Sequence, residues 1–199
     1  MISARRGLLP LQELKASQPK VRGRTIEIVP GDFNHTVHDV LANAKITENT
    51  ASFCLLDQRT FECHWDTARA LAAHKRMNKI ELFYFLASGW LDRSLAGTTR
   101  NVELVEKWWG RPEWSKLKGM GAEPRAEALR SRFCDELGYA HAYAWPIYER
   151  GADGRLMYHM IHATDHPDAP KIMNRAYFNA TNAREPIEQL EFDLQALVR

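Results

Sequence analysis

Cysteine is scarce in this sequence of 199 residues: there are only three, Cys54, Cys63 and Cys134, and none forms a Cys-x-x-Cys pair. An odd number without paired spacing argues against a disulfide framework and favours a reducing compartment, so we expect a cytoplasmic protein. The sequence also lacks a run of 18 apolar residues, and no apolar segment typical of a secretory signal precedes Pro10. We therefore expect no membrane as a partner.

A strong charge of either sign is absent too. The formal net charge is +2, which by itself does not indicate a nucleic-acid partner. The first 24 residues are more basic, with six arginines and lysines against Glu13 alone. Two interpretations stay open for this segment, a phosphate-binding edge and a solvated helix. The length and the apolar content of 45% are those of one globular domain, 1–199.

Apolar periodicity and turn residues predict an alternating order of helices and strands. The predicted strands are 25–29, 50–56, 80–86, 140–149 and 156–163, and RGADG at 150–154 predicts a hairpin turn between the last two. The predicted helices are 8–18, one that begins after residue 34, 65–74, 169–180 and one that begins at 186. A Trp-rich helical insertion is predicted at about 102–137, with breaks near residue 112 and at 119–121. This order predicts an α/β domain with a mostly parallel sheet that ends in an antiparallel hairpin.

Such a closing hairpin resembles the second half of the Rossmann-like fold of class I S-adenosylmethionine-dependent methyltransferases. Six stretches in order are similar to the three-Cys-motif partner family of bacteria and phages: GDFN (31–34), FCLLDQRTFECHW (53–65), KIELFYFLASGWLDRSL (79–95), VEKWWGRPEW (105–114), ELGYAHAYAWPIYER (136–150) and YHMIHATDHPDAPKIM (158–173). The resemblance implies S-adenosylmethionine as cofactor, methyl transfer to an acceptor, and a three-cysteine-motif protein as partner.

The beginning of the chain departs from the family pattern. Family members have two further strands and a glycine-rich loop that holds the cofactor, whereas residues 1–24 contain no Gly-x-Gly. The resemblance thus implies an N-terminally truncated member that binds S-adenosylmethionine weakly or not at all. It also implies a sheet edge that is apolar and exposed.

The stretch FCLLDQRTFECHW contains the principal candidate site. Its apolar run stops at Asp57, and a carboxylate at the open end of a buried strand can orient a nucleophile or accept its proton. We predict catalytic roles for Asp57 and Gln58, and substrate binding through Arg59, whose guanidinium suits a phosphate. The alternative is an ion pair between Asp57 and Arg59, or a network that caps the loop. In relatives of this fold a proline-containing sequence follows the acid, so Gln58 and Arg59 depart from that pattern.

Three further residues follow predicted strands. By the resemblance, Asp32 accepts a hydrogen bond from the adenine amino group of the cofactor and Phe33 lies beside the ring. Asp32 can also cap the following helix, and the two roles are compatible. Arg93 comes after the strand 80–86 and is predicted to bind an anionic substrate, unless it pairs with Asp92 or Glu103.

Histidines and tryptophans offer other candidate sites. His159 and His162 are three residues apart in a predicted strand, so they point to opposite faces and no metal site is predicted. Cys63 has no recognisable catalytic partner. Three tryptophans, Trp108, Trp109 and Trp114, favour packing, and base stacking is the alternative. Three functions therefore stay open: a methyltransferase-like enzyme, a non-enzymatic module that binds a three-cysteine-motif protein, and a nucleic-acid-binding protein.

Overall fold

The computed structural model describes residues 4–43, 46–98, 101–149 and 154–181. Its helices are α1 (Ala4–Ser17), α2 (Phe33–Asn43), α3 (Trp65–Ala73), α4 (Ser88–Ala96), α5 (Val102–Trp109), a 3-10 helix (Pro112–Leu117), α6 (Ala122–Asp135) and α7 (Ala169–Thr181). Its strands are β1 (Phe53–Leu56), β2 (Glu81–Leu86), β3 (His141–Tyr148) and β4 (Leu156–Thr164). The predicted helix from 186 and most of the turn at 150–154 lie outside the described residues.

The four strands form one mixed sheet in the order β1-β2-β4-β3. β1 pairs parallel with β2, whereas β4 pairs antiparallel with both β2 and β3. The α/β class and the closing hairpin are thus confirmed. The prediction of a mostly parallel sheet is wrong, because β4 lies between β2 and β3 and runs against both.

The predicted strand 25–29 is wrong as well. Residues 24–30 have no regular secondary structure, although Ile26 and Ile28 are less exposed than their neighbours. A segment with alternating β-branched residues forms a strand only when it pairs with another strand, and no described strand pairs with residues 25–29. Among the described strands β1 is consequently an outer one, and its Phe53 and Leu55 are 60% and 53% exposed. These two side chains make β1 an apolar edge of the described sheet.

The core lies on one face of the sheet, beneath α3, α5 and α6. Along β2, Leu82, Tyr84 and Leu86 are buried while the residues between them are half-buried, as a strand with one covered face requires. Phe133 of α6 contacts both Tyr84, with ring centroids 5.6 Å apart, and Trp65 of α3, at 5.4 Å. Helices on this face therefore fix the orientation of the sheet and of the strand ends that carry the candidate site.

The segment at about 102–137, predicted to be a helical insertion, contains α5, the 3-10 helix and α6. Its three tryptophans are buried, so packing, rather than base stacking, is what the structure shows for them. Arg132 reinforces this packing, with its guanidinium 4.0 Å from the ring centroid of Trp65 and 4.3 Å from that of Trp109.

By contrast, the side chains of α1 from Leu9 onward are exposed. Within the described residues, no helix has both the length and the apolarity needed to cross a bilayer.

Candidate functional site

A cleft of about 560 Å³ opens at the carboxyl ends of β1 and β2; we call it the aromatic cleft. Ligands commonly bind at this end of the strands in open α/β sheets. The first residues of the loop after β1 contribute Asp57, Gln58, Arg59 and Thr60. The remaining lining residues are Leu55, Phe85, Ala87, Trp90, Ser94 and Tyr158. The structure thus brings together three of the predicted site residues.

Gln58 holds the loop against the sheet. Its side chain is buried, its Nε2 donates to the Phe85 carbonyl oxygen at 3.1 Å, and its Oε1 accepts from the Cys63 backbone N–H at 2.9 Å. These bonds connect the end of β2 to both ends of the six-residue loop segment 58–63. Gln58 is therefore a loop clamp in this structure, and its predicted catalytic role stays a prediction.

Asp57 and Arg59 are exposed, and both of their charged groups face solvent or the cleft without an ion-pair partner among the described residues. They do not pair with each other, so the alternative of an Asp57–Arg59 ion pair is not what the structure shows. Only the backbone of Arg59 is engaged, donating its N–H to the Glu62 carboxylate at 3.0 Å. The two side chains therefore remain available to a ligand of the aromatic cleft.

Arg93 lines a second cleft of about 430 Å³, which we call the arginine cleft. Its other lining residues are Thr60, Phe61, Ser94, Gly97, Thr98, Asn101 and Leu104. The two acids considered as partners of Arg93 are engaged elsewhere: Asp92 pairs with Arg125 at 2.5 Å and Glu103 pairs with Lys107 at 2.5 Å. Thr60 and Ser94 belong to both clefts, so the two clefts adjoin.

Asp32 caps α2 in this structure. Its Oδ1 accepts from both the backbone N–H and the side-chain Nδ2 of Asn34, each at 2.9 Å, and the backbone bond is the main cause that lowers the pKa of Asp32. A hydrogen bond from the second helical N–H to the N-cap carboxylate is the usual capping geometry. Asp32 and Phe33 are not among the described residues that line the aromatic cleft. The structure therefore does not bring the predicted cofactor pair together with Asp57.

Asn34 ties the beginning of α2 to the loop that follows β1. Its Nδ2 donates to the Glu62 carbonyl oxygen at 2.8 Å, and its Oδ1 accepts from the His64 backbone N–H and the Thr67 hydroxyl, both at 2.8 Å. Gln58 and Asn34 thus hold the loop after β1 by hydrogen bonds to Cys63 and to Glu62 and His64, respectively. The stretch GDFN therefore contributes to the site by positioning this loop.

The histidines of β4 point to opposite faces, as predicted. His159 Nδ1 lies 2.6 Å from the Ser88 hydroxyl oxygen, whereas His162 stacks on Phe83 and its Nε2 lies 2.5 Å from a Glu81 carboxylate oxygen. Burial lowers the pKa of both imidazoles, although the Glu81 hydrogen bond opposes the shift at His162. Within the described ranges no group of three or more metal-ligating side chains is placed to hold an ion.

The cysteines are not activated as nucleophiles. Burial raises the pKa of the Cys63 thiol to about 12 and that of Cys54 to about 11. A thiol with a raised pKa is protonated at neutral pH and reacts slowly.

Sequence reasoning did not identify the aromatic lining and α4. Phe85 and Tyr158 come from neighbouring strands, with ring centroids 5.1 Å apart, and Trp90 comes from α4. The spacing of Leu91 and Leu95, both buried, is the helical signal that indicates α4. Searches of family models, of curated proteins and of solved structures find no match to this chain.

Proposed function

We propose that this chain is a methyltransferase-like ligand-binding domain whose aromatic cleft takes a small organic molecule with a planar ring. The observation that carries this proposal is the cleft itself: about 560 Å³, three aromatic side chains, and the unpaired charges of Asp57 and Arg59 at the strand ends. Binding sites for small molecules are typically apolar clefts of this size with a few polar groups that orient the ligand.

The proposed family is that of the three-Cys-motif partner proteins, and the proposed fold is the second half of a Rossmann-like methyltransferase domain. The sequence stretches quoted above support the family. The closing hairpin with an antiparallel β4 beside β2, and the position of Asp57 at the end of β1, support the fold. A cytoplasmic location, which the cysteine content favours, and a three-cysteine-motif partner, which the resemblance implies, are also part of the proposal.

S-adenosylmethionine is the cofactor that this family implies, and the described residues do not fit it well. Asp32 is the predicted adenine partner, but its Oδ1 accepts two hydrogen bonds from Asn34, and Asp32 does not line the aromatic cleft. We therefore expect weak binding of S-adenosylmethionine, or none, by the 199-residue chain. Calorimetric titration measures this directly, and a dissociation constant in the micromolar range contradicts the expectation.

Titration with the fluorescent aromatic anion 8-anilinonaphthalene-1-sulfonate tests the cleft. We expect one saturable site, and Ser94→Trp should weaken binding at least about tenfold because the indole fills the cleft. Ala96→Trp is the matched control, since Ala96 lies on the same helix but is exposed and does not line the cleft. Equal binding by the wild type and by Ser94→Trp, with both folded by circular dichroism, contradicts the proposal.

A second candidate function is a non-enzymatic interaction module, and the exposed apolar edge at Phe53 and Leu55 favours it. This module would act with a three-cysteine-motif protein. Copurification of the two proteins without transfer of a methyl group to RNA, DNA or protein supports the module. Copurification that survives Phe53→Lys unchanged contradicts a role for this edge.

A further inference from the structure

We propose that the two adjoining clefts bind one nucleoside monophosphate unit, with an amino-bearing base in the aromatic cleft and the phosphate between Arg59 and Arg93. This inference rests on the proposed ligand-binding function and names the class of ligand. The shared chemistry is that of a free mononucleotide or of one nucleotide within a single strand.

The aromatic side chains provide the surface for the base. Phe85 and Tyr158 form an adjacent pair, and Trp90, which also lines the cleft, is 36% exposed, so part of its indole is open to a ligand. Exposed aromatic rings beside basic groups are the usual stacking surface for bases.

The carboxylate of Asp57 selects among bases. Asp57 is the single acid among the described residues that line either cleft. A carboxylate accepts hydrogen bonds, so it favours a base edge with an exocyclic amino group, such as the N4 amino group of cytosine. Uracil has the same ring and shape but presents an oxygen acceptor there, which a carboxylate repels.

The two arginines supply the phosphate contacts. Arg59 and Arg93 have no acidic partner within the described ranges and lie in clefts that share Thr60 and Ser94. Guanidinium groups bind phosphate through two parallel N–H donors, and hydroxyl side chains add further donors. An aromatic cleft joined to a cationic one fits a molecule with a ring at one end and a phosphate at the other.

The cleft at the opposite ends of β1 and β2 is a contrast, because its charges already have partners. Lys79 pairs with Asp165 at 3.3 Å, the Lys75 ammonium donates to a backbone carbonyl oxygen at 2.8 Å, and Glu48 accepts two backbone N–H groups. A charged ligand there displaces existing bonds, whereas a ligand at Arg59 and Arg93 does not.

Calorimetric titration with CMP, UMP and cytidine tests this proposal. We expect CMP to bind at least about tenfold tighter than UMP, which lacks the amino group, and about tenfold tighter than cytidine, which lacks the phosphate. Asp57→Asn should bring the CMP-to-UMP ratio to one or below. Arg59→Ala and Arg93→Ala should each weaken CMP and leave cytidine unchanged. The matched control is Arg69→Ala, an exposed arginine that pairs with Asp66 and lines neither cleft.

Equal affinities for CMP and UMP, or for CMP and cytidine, overturn the proposal. If the naphthalene sulfonate binds and Ser94→Trp blocks it, but CMP at millimolar concentration does not bind, only this inference fails. If neither binds, the proposed function fails with it. The oligomer r(C)5 distinguishes the sources: at least tenfold tighter binding than CMP identifies a nucleotide within a strand, and similar binding identifies the free nucleotide.

Discussion

Replacing Gln58 by alanine is expected to destabilise the protein through the loss of the loop clamp. The truncation removes both side-chain hydrogen bonds and leaves the Cys63 backbone N–H and the Phe85 carbonyl oxygen without them. Each buried polar group left unsatisfied costs about 1–3 kcal/mol. Since Gln58 is only 7% exposed, little water reaches these groups, and we expect the free energy of unfolding to fall by about 2–4 kcal/mol.

Urea denaturation followed by tryptophan fluorescence measures this loss, with Arg59→Ala as the neighbouring control. Arg59 has an exposed side chain without an ion-pair partner in the described part of the chain, so its removal should change stability by less than about 0.5 kcal/mol. The clamp is refuted if Gln58→Ala also stays within about 0.5 kcal/mol of the wild type.

The isosteric change Gln58→Glu sharpens this test. A glutamate keeps the acceptor for Cys63 but places a carboxylate oxygen against the Phe85 carbonyl oxygen. The folded state therefore favours the protonated acid, which donates as the amide did. We expect the variant to gain stability relative to the wild type as the pH falls from 7 to 5. A difference from the wild type that does not change with pH contradicts this geometry.

Two further predictions concern the packing around the site. Gly110 has φ 72° and an added Cβ would meet Trp65 at 2.6 Å, so Gly110→Ala should cost about 2–4 kcal/mol in urea unfolding. Gly119→Ala, at φ 80° with open space around it, should cost only about 1 kcal/mol, and equal costs would refute the role of the Trp65 contact. Burial lowers the pKa of His159 and His162, so the unfolded chain takes up protons first as the pH falls below about 6.5. The free energy of unfolding should therefore fall from pH 7 to 5.5, with a slope approaching about 1.4 kcal/mol per pH unit for each imidazole, and a flat profile would exclude this account.

Local sequence patterns predict most of the sheet. The apolar runs that end at Leu56 and Leu86 give β1 and β2, and the alternating segments around a glycine-rich turn give the closing hairpin. The segment 25–29 has an equally good local pattern and is not a strand, because strand formation depends on a neighbour that is distant in sequence. The mixed direction of the sheet depends on the same long-range pairing.

The candidate site was predictable in position but not in detail. Asp57 and Arg59 follow from the place where the apolar run of β1 stops. The clamp made by Gln58 depends on Phe85, 27 residues away, and no local pattern indicates that bond. For Asp32 the local capping interpretation describes the structure, because Asn34 lies two residues away and supplies both donors.

The measurement that tests the central claim most directly is a map of amide chemical shifts in ¹⁵N-labelled protein titrated with 8-anilinonaphthalene-1-sulfonate. The account predicts that the largest changes fall on residues 57–60 and on α4, with Asp32 and Phe33 unaffected. A map centred on Asp32 and Phe33, or on Phe53, that leaves residues 57–60 and α4 unchanged contradicts it.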